Sequence, residues 1–317
     1  TPDELYFTAT HTHSGQGGWA PGLVGELFAG QFENALIEYL SSAMIKSIML
    51  AEQSMAPGHL AVGELSADHL VRNRLVKDKG IIDPWFKALM IQKDSLKALF
   101  TSFSAHATCF GPDNHDLSGD YPAYFNEILE DDEQFGFSAF SAGAVGSMAA
   151  NTGSDDSRTN AQTMAIQLKE QLDLLLMIGL SWQTDLTLDA FKLKLPLRSP
   201  YFKVSTDLAL RPYLFNAAFG KYEHDVSVMI LGKAIFVGLP CDFSGELAVP
   251  LYAQAREMGY QLFITSFNGG YAGYVIKDEW YDLKKYEART MSWYGPDMGS
   301  YLSEIVSRIL LTIHENN

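Results

Sequence analysis

The sequence contains no apolar run long enough, about 18 residues, to cross a bilayer. Positive charge is scarce: 23 Lys and Arg stand against 38 Asp and Glu, a formal net charge of −15. A surface this acidic repels phosphate backbones and anionic headgroups, which excludes nucleic acid as an expected partner. Cysteine is almost missing. Cys109 and Cys241 alone cannot build a disulfide framework, and the readings open for them are buried thiols, a single disulfide or a role beside a site. No signal peptide, internal repeat, low-complexity tract or interdomain linker is visible. The Gly-rich tract from Ser14 to Trp19 lacks the Lys-Ser/Thr of a phosphate loop, and no Gly-x-Ser-x-Gly elbow surrounds Ser14.

What is present is core material. Hydrophobic residues make up 47% and aromatics 12% of 317 residues, enough for one large domain or two smaller ones. Helical spacing of apolar residues predicts a long core helix over 26–53, further helices over 122–129, 160–176 and 297–314, and a helix over 245–258 interrupted at Pro250. Strand patterning covers 60–65, 85–91, 97–105, 135–140, 186–197 and 261–267. The arms 226–231 and 234–239 read as a hairpin around Gly232-Lys233. Strands alternating with helices predict an α/β fold, a mixed central sheet covered by helices.

The stretch Thr10-His11-Thr12-His13-Ser14-Gly15 follows a strand-like run, Leu5 to Ala9. On an extended chain two histidines one residue apart face the same side and offer two imidazoles to one ligand. Alone, that motif is equally compatible with two loop histidines. It has company, however. Polar groups follow apolar strand-like runs at His11/His13, His106, the small-residue loop 143–151, Asp242, and Tyr271/Tyr274. In open α/β sheets ligands bind beyond the carboxyl ends of strands, so these segments are expected to meet at one sheet edge, where His plus carboxylate forms a zinc-type ligand set.

Several segments, in one order and with compatible spacing, resemble the neutral/alkaline non-lysosomal ceramidase family of zinc-dependent amidases. They are Thr10-His11-Thr12-His13-Ser14-Gly15; Asn73-Arg74; Asp83-Pro84; Ala105-His106 followed by Ser118-Gly119-Asp120; Pro240-Cys241-Asp242-Phe243; Tyr271 and Tyr274 followed by Glu279, Tyr281 and Lys285-Tyr286-Glu287; and Tyr294-Gly295-Pro296. The resemblance implies zinc ligands His11, His106, Asp242 and Tyr274, with His13, Arg74 and Tyr286 polarising substrate or moving protons. It implies one ceramidase-like domain over 1–317, short of an N-terminal portion and without the C-terminal β-sandwich. It also implies a small or lipid-like N-acyl substrate and an extracellular or periplasmic location. Three departures stand out. Asp242 replaces the family's Glu, Ala149 falls at its serine, and Ser147 falls at its Asp in Gly146-Ser147-Met148-Ala149-Ala150-Asn151.

The expected activity is amide hydrolysis by metal-activated water, which needs no serine. The alternatives are a non-catalytic ligand-binding protein on the same scaffold and a hydrolase of some other ester or amide. Individual residues keep plainer readings beside these. Asp242 could cap the following helix, as Ser244 could, with Glu246 as a substitute carboxylate. Arg74 could form a surface ion pair, and Tyr286 and Tyr274 could be packing aromatics. His59, His69, His115, His224 and His314 read as surface or loop residues. Trp19 and Trp280 could line an acyl pocket or belong to the core.

Overall fold

Alternation of apolar residues along the strands determines how the layers stack. The computed structural model describes residues 2–183, 186–205 and 208–316. Its first sheet has five strands in the order Phe135–Ala142, Leu96–Phe103, Trp85–Lys93, His59–Ser66, Ser181–Gln183. Its second has four, in the order Gln261–Thr265, Ala234–Gly238, Asp225–Leu231, Leu188–Lys194. Both are mixed. The first carries one parallel pair, Leu96–Phe103 with Phe135–Ala142, and the second carries Ala234–Gly238 with Gln261–Thr265. The α/β class expected from the sequence is what the chain adopts, with its strands shared between two principal sheets.

Odd and even positions of each strand serve different layers. Leu60, Val62, Leu89, Phe100, Ala234, Phe236 and Phe263 join one apolar cluster, which packs sheet against sheet. Phe236 lies flat on Phe263 and edge-on to Phe100 across that interface. The alternate residues Ala61, Phe86, Ala88, Met90, Leu99 and Phe103 pack with helices Asp120–Glu130 and Ser157–Ile178 through Phe125, Leu129, Met164, Leu168 and Leu172. On the second sheet Val226, Val228, Ile235, Val237, Leu262 and Ile264 pack with helices Gly245–Glu257 and Met298–Asn316. The order is therefore helices, sheet, sheet, helices. Each fully buried large apolar side chain contributes about 1.5–3 kcal/mol of transfer free energy to it.

Local signals explain the boundaries. Asp156 caps the helix from Ser157 by accepting from Thr159 N, and Ser244 caps the helix from Gly245 by accepting from Glu246 N. The hairpin turns at Gly232, whose φ of 58° suits glycine. Three expectations need correction, and one helix has no counterpart among them. The long core helix over 26–53 is two helices, Leu23–Ala29 and Asn34–Gln53, broken at Gly30 (φ 78°), and the second has no buried residue. Its apolar stripe is surface. Pro250 does not interrupt its helix, which runs through it with the ring at an exposed position. Leu5 to Ala9 is not a strand, although Ala142 N donates to Ala9 O and ties it to the sheet edge. Helix Pro212–Phe219 was not expected at all, despite Pro at its start and Gly220 just past its end.

Candidate metal centre

The two parallel pairs end at the same place. After Phe103 the chain reaches His106, and after Ala142 it enters the small-residue loop. After Gly238 it reaches Asp242, and after Thr265 it makes the turn carrying Phe267, Tyr271 and Tyr274. Ser266 N donates to Ala142 O and Ser266 Oγ to Gly143 O, so the carboxyl edges of the two sheets are joined directly. Asp242–Phe243 then pairs in parallel with Tyr274–Val275, setting Asp242 beside Tyr274.

Within this junction lie His11, His13, Arg74, His106, Asp242 and Tyr274. His106 is fully buried. Its Nδ1 donates to Val145 O at 2.8 Å, a carbonyl that can only accept, and burial with Arg74 nearby holds the imidazole well below its ordinary pKa. The ring is neutral, so Nε2 presents a lone pair. Facing that lone pair are His11 Nε2 at 3.2 Å, Asp242 Oδ1 at 3.3 Å and Tyr274 Oη at 3.2 Å. His11 Nε2 also lies 3.6 Å from Asp242 Oδ1 and 3.0 Å from His13 Nε2. Asp242 Oδ1 is buried and has no hydrogen-bond partner, while Oδ2 accepts from Tyr271 at 2.6 Å.

Neutral imidazole nitrogens and an unpartnered carboxylate oxygen converging in this way form a donor set suited to a cation. Their spacings suit one. Bonds of about 2.05 Å at tetrahedral angles put ligand atoms about 3.3 Å apart. His11, His13 and His106 form a group able to hold a metal ion, with His106 buried, His11 half-buried and His13 exposed.

The His-x-His motif meets at one point for a different reason from the one expected. His11 has φ 60°, so the two imidazoles converge through a left-handed residue rather than by strand alternation. Phe267, also left-handed at φ 68°, stacks on the His11 ring at 3.9 Å. Burial pushes the His11 pKa down to about 2 and that of His13 down as well. Asp242 is raised by burial, against the pull of His11, Tyr271 and Arg74. Tyr274 is raised by burial and by Asp242, so its phenol holds its proton in the metal-free protein, although Arg74 Nη2 donates to its oxygen at 2.8 Å. Arg74 Nε lies 2.9 Å from Glu287 Oε1 as an ion pair, so the guanidinium is held between Glu287 and the donor cluster.

These shifts fix the pH dependence of the metal-free protein. Histidines with folded pKa values below 6.5 stabilise the fold above that pH, and the contribution is lost as pH falls, because only the unfolded chain takes up the proton. The urea midpoint of metal-stripped protein is therefore expected to drop between about pH 7.5 and about pH 5.5, and to drop less in His106→Gln. Equal drops in both proteins would contradict the assignment.

Other expected residues fall elsewhere. Glu246 is buried away from the cluster, with Trp280 Nε1 donating to it at 3.4 Å. Trp280 packs with Leu75, Ile276 and Ala288. Ser244, not Asp242, caps the helix, and its hydroxyl is 2.6 Å from that of Ser147. Both cysteines are free and buried. Ala149 pairs with Arg72 in a two-stranded ladder and brings no hydroxyl.

A cavity of about 1370 Å³ opens beside the cluster, reaching it through Tyr271 and Tyr286, the latter 58% exposed and edge-on to Tyr274. Its aromatic wall includes Phe215 and Phe219 from the unforeseen helix, and Trp293. Trp19, a candidate from the sequence, lines it too. His224, read as a surface or loop residue, is a loop residue buried in this wall, with Nε2 3.1 Å from Tyr294 Oη.

The family model for neutral/alkaline non-lysosomal ceramidase, N-terminal, matches residues 1–167 of the 317. The chain belongs to that family. Its fold is that of a neutral ceramidase from Pseudomonas aeruginosa, with a TM-score of 0.82 at 17% identity over 98% of this chain. It is also that of a ceramidase complexed with C2, with a TM-score of 0.84 at 17% identity over 98% of this chain. The chain spans 61% and 62% of the lengths of those two structures. No curated protein matches it.

Proposed function

We propose that this chain carries the active site of a zinc-dependent amidase that cleaves an N-acyl, ceramide-like amide. The observation supporting this most strongly is the buried, unpartnered Asp242 Oδ1 facing the Nε2 atoms of His106 and His11, beside an aromatic cavity. His11, His106, Asp242 and Tyr274 would hold the ion. Bound there, zinc supplies Lewis acidity that polarises a carbonyl and brings the pKa of water toward neutrality. The remaining work falls to the chain. Arg74 keeps a full positive charge next to the cluster and stabilises negative charge developing on the amide oxygen. His13, neutral and on the exposed side, accepts a proton from the attacking water and returns it to the leaving amine. Tyr286, at the cavity mouth, donates its O–H to the substrate. Apolar walls take the acyl chain and exclude bulk water.

The two positions of the small-residue loop considered for a nucleophile supply no free hydroxyl. Position 149 is alanine, and Ser147 is tied to Ser244. Direct attack by water on the amide fits these residues. Ala149 also favours a second reading, a binding protein that holds metal and lipid without turnover. The test is zinc content by elemental mass spectrometry together with hydrolysis of detergent-solubilised ceramide and of short soluble amides. One zinc per chain is expected, with ceramide turnover that ends on chelation and returns on adding zinc. Zinc without turnover of any amide would support the binding reading, and absence of zinc would contradict both.

A further inference from the structure

The two oxygens of Asp242 have different surroundings. Oδ2 accepts a hydrogen bond from the Tyr271 hydroxyl at 2.6 Å, whereas Oδ1 has no hydrogen-bond partner and faces His106 and His11. The backbone beneath is fixed. Asp242 pairs with Tyr274, and Asp242 N donates to Gly273 O. A Cβ at Gly146 would stand 2.4 Å from Asp242 O, so the small-residue loop closes tightly over it. What remains free is the terminal carboxyl torsion, which is broad and roughly two-fold. A donor on one oxygen selects its orientation.

Tyr271 is itself well held. Its ring meets Trp293 edge-on at 5.2 Å and lies near Phe267 at 6.2 Å, and Phe267 stacks on His11. A bulky residue with positive φ, such as Phe267, costs on the order of 1–3 kcal/mol and persists only where its surroundings enforce it. The turn from 267 to 274 thus reaches three candidate ligands: His11 through Phe267, Asp242 through Tyr271, and His106 through Tyr274.

From this geometry we infer that Tyr271 is a positioning residue for the metal, holding Asp242 Oδ2 so that Oδ1 stays turned toward the ion. It acts through Asp242 and rests on the metal reading above. Removing such a hydrogen bond to a ligand typically weakens metal binding about tenfold to hundredfold. The experiment is a double-mutant cycle read as zinc affinity by competition with a chromophoric chelator. Tyr271→Phe keeps the ring and its contacts and is expected to bind zinc about tenfold to hundredfold more weakly than wild type. In an Asp242→Ala background the same change is expected to cost nothing further. Wild-type affinity in Tyr271→Phe would overturn the inference, as would an undiminished loss in the Asp242→Ala background, which would mark a packing effect. In either case the metal reading would stand, whereas a wild type holding no zinc would overturn both.

Discussion

Replacing His106 with alanine is expected to remove bound zinc and to lower amide hydrolysis by about a thousandfold or more, roughly 4 kcal/mol of transition-state stabilisation. No other residue is so central to the cluster. His106 is the partner shared by His11, Asp242, Tyr274 and the Arg74 guanidinium, whose Nη2 lies 3.5 Å from its Nε2. Its other nitrogen is anchored to Val145 O, on the loop that also closes over Asp242. No neighbour can swing into a fully buried position to replace the lost nitrogen. Elemental analysis and turnover of the same preparation are the check, with circular dichroism to establish the fold. Stoichiometric zinc in His106→Ala would mean that the cluster is not the site.

Replacing Arg74 with alanine is expected to lower kcat by about a hundredfold to a thousandfold with little change in KM, as losing one preorganised oxyanion donor does elsewhere. The residue is built into the site rather than lying over it. One face pairs with Glu287 at 2.9 Å, and the terminal nitrogen donates to Tyr274 at 2.8 Å. Lysine cannot reproduce this split engagement, so Arg74→Lys is expected to recover little activity. Zinc content should stay near wild type, since Arg74 is not a ligand. Steady-state kinetics on a soluble N-acyl substrate would decide the matter, and unchanged kcat in Arg74→Ala would remove the oxyanion role.

Much of this centre is legible in the sequence. His106, Asp242 and Tyr274 each follow an apolar strand closely, and a residue just past a strand has few places to go in an α/β fold. The strands are readable because both faces are packed, which leaves short continuous apolar runs such as Leu89 between Phe86 and Met90. Other features left no such record. The convergence of His11 and His13 depends on a left-handed His11, which no pattern in Thr10-His11-Thr12-His13 declares. The exposed helix Asn34–Gln53 carries the same apolar periodicity as a core helix, and periodicity does not say whether a partner is present. The cavity wall draws on loop segments and the short helix Pro212–Phe219, and nothing in the sequence marks a loop histidine such as His224 as buried. Tyr271 stands out in the sequence as part of the Tyr271/Tyr274 polar group, but its hydrogen bond to a residue 29 positions earlier leaves no mark there.

An anomalous-scattering scan across the zinc edge on crystals of the protein tests the central claim most directly. The account predicts one zinc peak bounded by His11 Nε2, His106 Nε2 and Asp242 Oδ1, with Tyr274 Oη beside it. No peak there, or a zinc peak elsewhere on the molecule, would contradict it.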